Sequence, residues 1–227
     1  MARSKRKAGR NIRNLALLRR MKAIYYFLYA AGFALSPFLF FHIFKDLWQP
    51  FEENNSLNIN PIMYLPFVFG FTICAVRGYN FWKRAGHADQ GARGEEKMAE
   101  VITTLADEGW EIEYGMRLGN RLGDADIVCI SPQKKAYVID VKSHRGEVTS
   151  NGEKLSRRMG AKSYPFEKNF LRKSMQQAFQ VKKQKNLKFV TPILAFSEAQ
   201  VSVPPGKVRG VYIVEKLRLV PLLKSLG

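Results

Sequence analysis

The chain has 227 residues, with 37 Lys or Arg against 19 Asp or Glu, and a net charge of +18. That length holds one soluble domain and an appendage, and that charge calls for an anionic partner: nucleic acid, anionic lipid or both. Cys74 and Cys129 have no CxxC spacing, and His42, His87 and His144 are scattered, which argues against a disulfide scaffold, a zinc site or a histidine metal site. Both cysteines read as small core residues of a reducing compartment.

Residues 1–22 hold nine basic residues and no acid, the composition of a basic arm or surface helix. Residues 23–44 are apolar apart from Gly32, Ser36, Pro37 and His42. At ~1.5 Å per residue such a run crosses a hydrocarbon core of ~30 Å. It is too long and too aromatic for a cleaved signal peptide. Residues 45–60 are polar, with Asp46, Glu52 and Glu53 against one Lys. A second apolar run at 61–76 is edged by Arg77, Tyr79, Phe81, Trp82, Lys83 and Arg84. Opposite charges at the two ends predict a transmembrane hairpin over 23–84, with its basic ends in the cytoplasm. A buried helical hairpin of a soluble protein is the alternative. The basic arm then meets anionic lipid. The domain that follows lies on the cytoplasmic side of a cell inner membrane.

Residues 85–93, rich in Gly and Ala, read as a linker. The soluble domain follows at 94–227. A helix is predicted over 95–107, with Met98, Val101, Ile102 and Leu105 on one face. Alternation over 110–118 predicts a half-buried strand. Gly119-Asn120-Arg121-Leu122-Gly123 is a turn. Two apolar strands come next, one led by Asp124-Ala125-Asp126 and one running Ala136-Tyr137-Val138-Ile139-Asp140-Val141-Lys142. Asn151-Gly152 signals a hairpin. Residues 154–190 hold eleven basic residues and one acid, Glu167, with a helix over 168–185. Strands are predicted at 191–196, 201–203 and 208–214, and a last helix at 217–226, where Pro221 is tolerable only near the helix start. The pattern is α/β: a mixed sheet with helices on both faces.

Asp140 and Lys142 are two apart on one strand and so share a face. The short turn at 131–134 places Asp126 on the neighbouring strand, a few ångströms from Asp140. Carboxylates suit a hard cation such as Mg²⁺ (or Mn²⁺), which takes one or two of them with waters and phosphate. Lys142 is a point charge for the phosphate or the attacking water. Glu95, at a helix start, is placed to reach the same metal, or is only a favourable first-turn charge. Gln177 is placed to hydrogen-bond the site or a nucleic-acid backbone, or is a solvated helix position.

These residues resemble the nuclease-related domain (NERD) of the PD-(D/E)XK nuclease superfamily. The resemblance rests on Gly94-Glu95, on Asp124-Ala125-Asp126, on Asp140-Val141-Lys142 followed by Gly146-Glu147-Val148, and on Gln177-Ala178. It implies a restriction-endonuclease-like sheet and a membrane-anchored, metal-dependent deoxyribonuclease. Glu95, Asp126 and Asp140 would be metal acids, Lys142 the catalytic lysine and Gln177 the helix glutamine. Asp124 competes with Asp126; the latter directly precedes the apolar strand, as the motif acid does. Leu155 stands where the family often has an aromatic, and Asn169-Phe170-Leu171 where it has Asn-Pro-Leu. Arg157, Arg158, Lys162, Lys168, Arg172, Lys173 and Lys182 would contact phosphates, of DNA rather than RNA. The alternative is a catalytically weak module that tethers DNA or RNA to the membrane.

Overall fold

The structure, a computed structural model, describes residues 7–48, 61–119, 122–204 and 206–227. Arg3, Lys5 and Arg6 of the basic arm, Glu52 and Glu53 of the acidic loop, and Asn120 and Arg121 of the turn at 119–123 lie outside them. The chain forms two compact units. One is residues 14–88; the other joins 1–13 to 89–227.

The 14–88 unit is built from α1 (Arg10–Trp48) and, after a short 3-10 turn at Pro61–Tyr64, α2 (Leu65–Thr103). Both helices are long and apolar enough to cross a membrane. Their packing is small against large. Ala16, Ala23 and Ala30 are buried at seven-residue spacing, while Leu28, Phe38 and Phe69 are more than half exposed. A Cβ on Gly70 would lie 2.5 Å from the Phe33 ring, and one on Gly78 2.8 Å from the Phe27 ring. Tyr26 stacks on Phe81 at 5.5 Å. Small residues inside and large apolar ones outside are what helices surrounded by hydrocarbon use, because burying Leu gains nothing there and close backbone approach does. The basic ends lie together: Arg19 donates to the Arg84 carbonyl at 3.0 Å, and Arg20 and Lys22 stand over the rings of Trp82 and Phe81.

One expectation is corrected here. The arm is helical from Arg10, one of the two forms its composition allowed, but the expected linker at 85–93 is helix, within an unbroken α2. Ala85, Ala88 and Ala92 are buried. Alanine is the strongest helix former, so with helical residues on both sides it outweighs the two glycines.

The second unit is a mixed eight-stranded sheet. Its strands are β1 (Glu111–Arg117), β2 (Asp124–Ile130), β3 (Ala136–Ser150), β4 (Leu155–Met159), β5 (Lys162–Pro165), β6 (Val190–Ser202), β7 (Lys207–Val208) and β8 (Val211–Glu215). The order is β1-β2-β3-β6-β8-β7, with the β4–β5 hairpin hung from β3. β1, β2 and β3 pair antiparallel; β3–β6 and β6–β8 are parallel. Two further helices, α3 (Phe170–Gln184) and α4 (Lys216–Leu226), complete it.

Each inner strand is covered on both faces. Ile127, Tyr137, Ile139 and Ile193 meet Met98, Ile102 and Leu105 of α2 and Leu219 and Leu223 of α4. Val128 and Val138 point the other way, to Ala178 and Val181 of α3. Several elements differ from expectation in extent. The helix expected to 107 stops at Thr103; β3 and β6 run far past Lys142 and Phe196; and the strand expected over 208–214 is two. Arg209 and Gly210 separate these two with φ of 47° and 84°. Positive φ at both central residues is the two-residue hairpin turn whose twist matches its strands. Pro221 sits inside α4 rather than at its start.

Candidate active site

The β2–β3 register sets the centre. Ile127 pairs with Ile139, so one step on Asp126 and Asp140 lie opposite each other. The ladder ends there because a side chain takes over: Val141 N–H donates to Asp126 Oδ2 at 2.7 Å. Asp140 is 1% exposed. A buried carboxylate needs counter-charge, and it has two cations: Lys142 pairs with Oδ2, and Lys173 of α3 reaches Oδ1 at 3.3 Å. The Lys142 ammonium also stands 5.2 Å from the centre of the Phe170 ring.

Glu95 comes to this centre from α2. Its neighbour Gly94 allows the approach: a Cβ there would meet Ser197 Oγ at 2.8 Å and Ser143 Cβ at 3.0 Å. Glu95 is buried, and its pKa is pushed up to about 8, first by burial and then by the charge of Asp126. Burial and the Asp140 charge push Asp126 up to about 6. Lys173 is held above the ordinary lysine value; burial alone would lower it, and the charges of Asp140 and Asp126 outweigh that. The acids therefore strain against each other, and the two lysines relieve part of it.

Residues 7–13, a piece of the basic arm, complete the wall. Gly9 N–H donates to Glu95 Oε2 at 3.0 Å. Asn11 Nδ2 donates to Asp124 Oδ2 at 2.7 Å. Arg13 grips Glu96 with two hydrogen bonds of 2.6 and 2.7 Å. Gly9 has φ +72°, and a Cβ there would lie 2.9 Å from the Ala92 carbonyl oxygen. Lys7, Gly9, Arg10, Asn11 and Ile12 line a cavity of about 240 Å³ with Glu95, Asp124, Asp126 and Lys173. Reading the sequence missed this contact: Gly9 and Glu95 are 86 residues apart, and nothing in the local pattern marks it.

The structure thus brings Glu95, Asp126, Asp140 and Lys142 into one electrostatic cluster and adds Lys173, expected only as a phosphate contact. Asp124 faces Asn11 instead. Gln177 is fully buried and donates to the Asp124 carbonyl at 3.1 Å; it is neither solvated nor open to a substrate, and it fixes the start of β2. Among the described residues no group of three or more His, Cys, Asp or Glu side chains is placed to hold a metal ion. The reason is visible in the partners: a backbone N–H, two lysines and a second N–H each hold one carboxylate apart. Asp126 and Asp140, opposed across the ladder and mutually repelling, still fit a cation that needs one or two carboxylates.

A second, open cleft of about 780 Å³ adjoins the centre through Lys142 and Lys173. Arg157 and Lys168 also line it. Arg158 does not: it pairs with Glu147. Lys162, Arg172 and Lys182 are exposed.

A mixed sheet with two opposed strand aspartates, a lysine two residues after one of them and a helix glutamate beside them defines a nuclease-like α/β domain. Residues 90–197 match the family model of the nuclease-related domain (NERD), and two candidate membrane spans precede them. No curated protein and no solved structure matches the chain.

Proposed function

We propose that the protein is a membrane-anchored, Mg²⁺- or Mn²⁺-dependent nuclease that hydrolyses phosphodiester bonds of DNA. The observation that carries this is the buried Asp140 with Lys142 and Lys173 on its two oxygens and Asp126 opposite. Binding alone has no use for acids set among phosphate-binding cations. Asp126 and Asp140 would hold the cation, with Glu95 behind them. The cation supplies a polarised phosphoryl oxygen and a bound water of lowered pKa. Lys142, largely desolvated, holds a phosphate oxygen or orients the attacking water, and its charge counts for more in that low dielectric. Arg157, Lys168 and Lys173 position the strand through its phosphates.

The clustering of Arg19, Arg20, Lys22, Lys83 and Arg84 at one end of the hairpin supports insertion in a cell inner membrane with that end, and the nuclease domain, in the cytoplasm. Lys22, Arg19 and Arg20 would meet anionic lipid. The test uses the full chain in detergent, because residues 7–13 belong to the site. Supercoiled plasmid is cleaved with Mg²⁺ and not with EDTA, and Asp140→Ala or Lys142→Ala abolishes cleavage. Activity that survives either substitution overturns the assignment.

One observation favours a second reading, a tether with little catalysis: no three-carboxylate site stands ready among the described residues. Salt-dependent DNA or RNA binding without cleavage under any divalent cation would decide for it.

A further inference from the structure

The cleft beside the acid centre has an aromatic wall that phosphate binding does not need. The register of β3 against β6 shifts between Lys142 and Arg145. A bulge of this kind re-aims a side chain beside a site. Here it seats the His144 ring against Phe166 at 5.1 Å and Phe170 at 5.5 Å. Burial, then the charges of Arg157 and Lys142, hold the His144 pKa below its ordinary value, so this ring is an uncharged surface.

The β4–β5 hairpin forms the facing edge. Arg157 pairs with Tyr164 across it, so these two side chains share a face, and both line the cleft. Arg158, on the opposite face, is tied to Glu147. Tyr164 is 45% exposed, which leaves its ring open to a partner.

Charge and aromatic surface together discriminate between strand states. A duplex presents phosphates and base edges, while its base faces are covered by neighbouring pairs. Lysines and arginines suffice for it. An unpaired base has two free faces, and stacking one on an aromatic ring is favourable for any base. The cleft shares Lys142 and Lys173 with the acid centre, so a strand whose phosphate lies there leads its next nucleotide toward Tyr164 and Arg157.

We propose that this cleft is a subsite for an unpaired nucleobase next to the scissile phosphate, so that the substrate is single-stranded or locally unpaired nucleic acid. The proposal rests on the nucleic-acid reading above but not on hydrolysis. Its test is binding by the full chain in detergent, in EDTA, to labelled DNA of one sequence as single strand, blunt duplex and duplex with an unpaired tail. Single strand and tailed duplex should bind about tenfold tighter than blunt duplex. Tyr164→Ala should weaken both of these about tenfold and leave blunt duplex unchanged; Tyr164→Phe, which keeps the ring, should restore them. Equal binding of single strand and blunt duplex, or a Tyr164→Ala variant that binds like wild type, overturns the subsite. Strand preference without Mg²⁺-dependent cleavage leaves the subsite standing and fells the hydrolysis. Cleavage without strand preference does the reverse.

Discussion

The two units of this chain solve packing in opposite ways. In the 14–88 hairpin the described buried residues are alanines and Gly78, and the large side chains face out. In the sheet unit Leu194, Phe196, Ile139 and Tyr137 are fully buried, and the surface is charged. Water drives large apolar groups inward; hydrocarbon does not, so helices there meet through whatever lets them come closest. One chain shows both rules, and the switch falls within α2. Residues before Ala85 keep small side chains inside and large ones outside, and Met98, Ile102 and Leu105 are large and buried.

Five substitutions sharpen or break this contrast. Leu194→Ala, in the sheet core, should cost about 2–5 kcal/mol in denaturant unfolding of the sheet unit, whereas Leu28→Ala, 64% exposed, should leave helix content in detergent unchanged. Equal losses would mean that the hairpin has a water-type core. Next comes Glu95. Its pKa in the folded chain is about 8 against an ordinary 4.5. The folded state therefore binds the proton more tightly than the unfolded one, and this group's contribution to stability falls as pH rises from about 5 to 8. Without divalent cation, Tm should decline over that window by an amount worth a few kcal/mol. Glu95→Gln should flatten the decline, and a wild-type Tm that rises there contradicts the burial described. Ala23→Leu, at a fully buried position of the hairpin, should separate the helices at a cost of about 1–3 kcal/mol, read as lost protease resistance of residues 14–88. The smallest effect is expected at Gly9. Gly9→Val forces a side chain into positive φ against the Ala92 carbonyl, which costs about 1–2 kcal/mol. It should lower the Tm of the sheet unit while leaving the hairpin intact.

Much of the sheet unit is legible in the sequence. Alternation gave β1; the apolar runs gave β2 and the first half of β3; and the register that opposes Asp126 to Asp140 follows from a short turn between them. Legibility ended where long-range pairing overrides local pattern. Past Lys142, β3 continues through Gly146 only because β4 and β6 pair with it. β5, four residues ending in proline, exists as a strand by leaning on β4. Gln177 read equally as a site contact or a solvated helix position, and the helix turns it inward onto the Asp124 carbonyl. Lys173 was one of many basic residues, and only the packing of α3 over β3 singles it out. Phe166 and Tyr164 carried no motif and His144 no assigned role; their convergence depends on a bulge and a hairpin.

The contact between Gly9 and Glu95 also sets a schedule. The two are separated by 86 residues, which a ribosome adding about 5–20 residues per second needs roughly 4–17 s to produce. During that interval residues 7–13 have no partner, and both apolar helices are made in between. The sheet unit is thus assembled from an early piece and a late one, and its acid centre closes only after the intervening hairpin has left the ribosome. A chain stalled or cut before Glu95 carries the 14–88 hairpin and no part of the acid–lysine centre, so that centre never forms ahead of the hairpin.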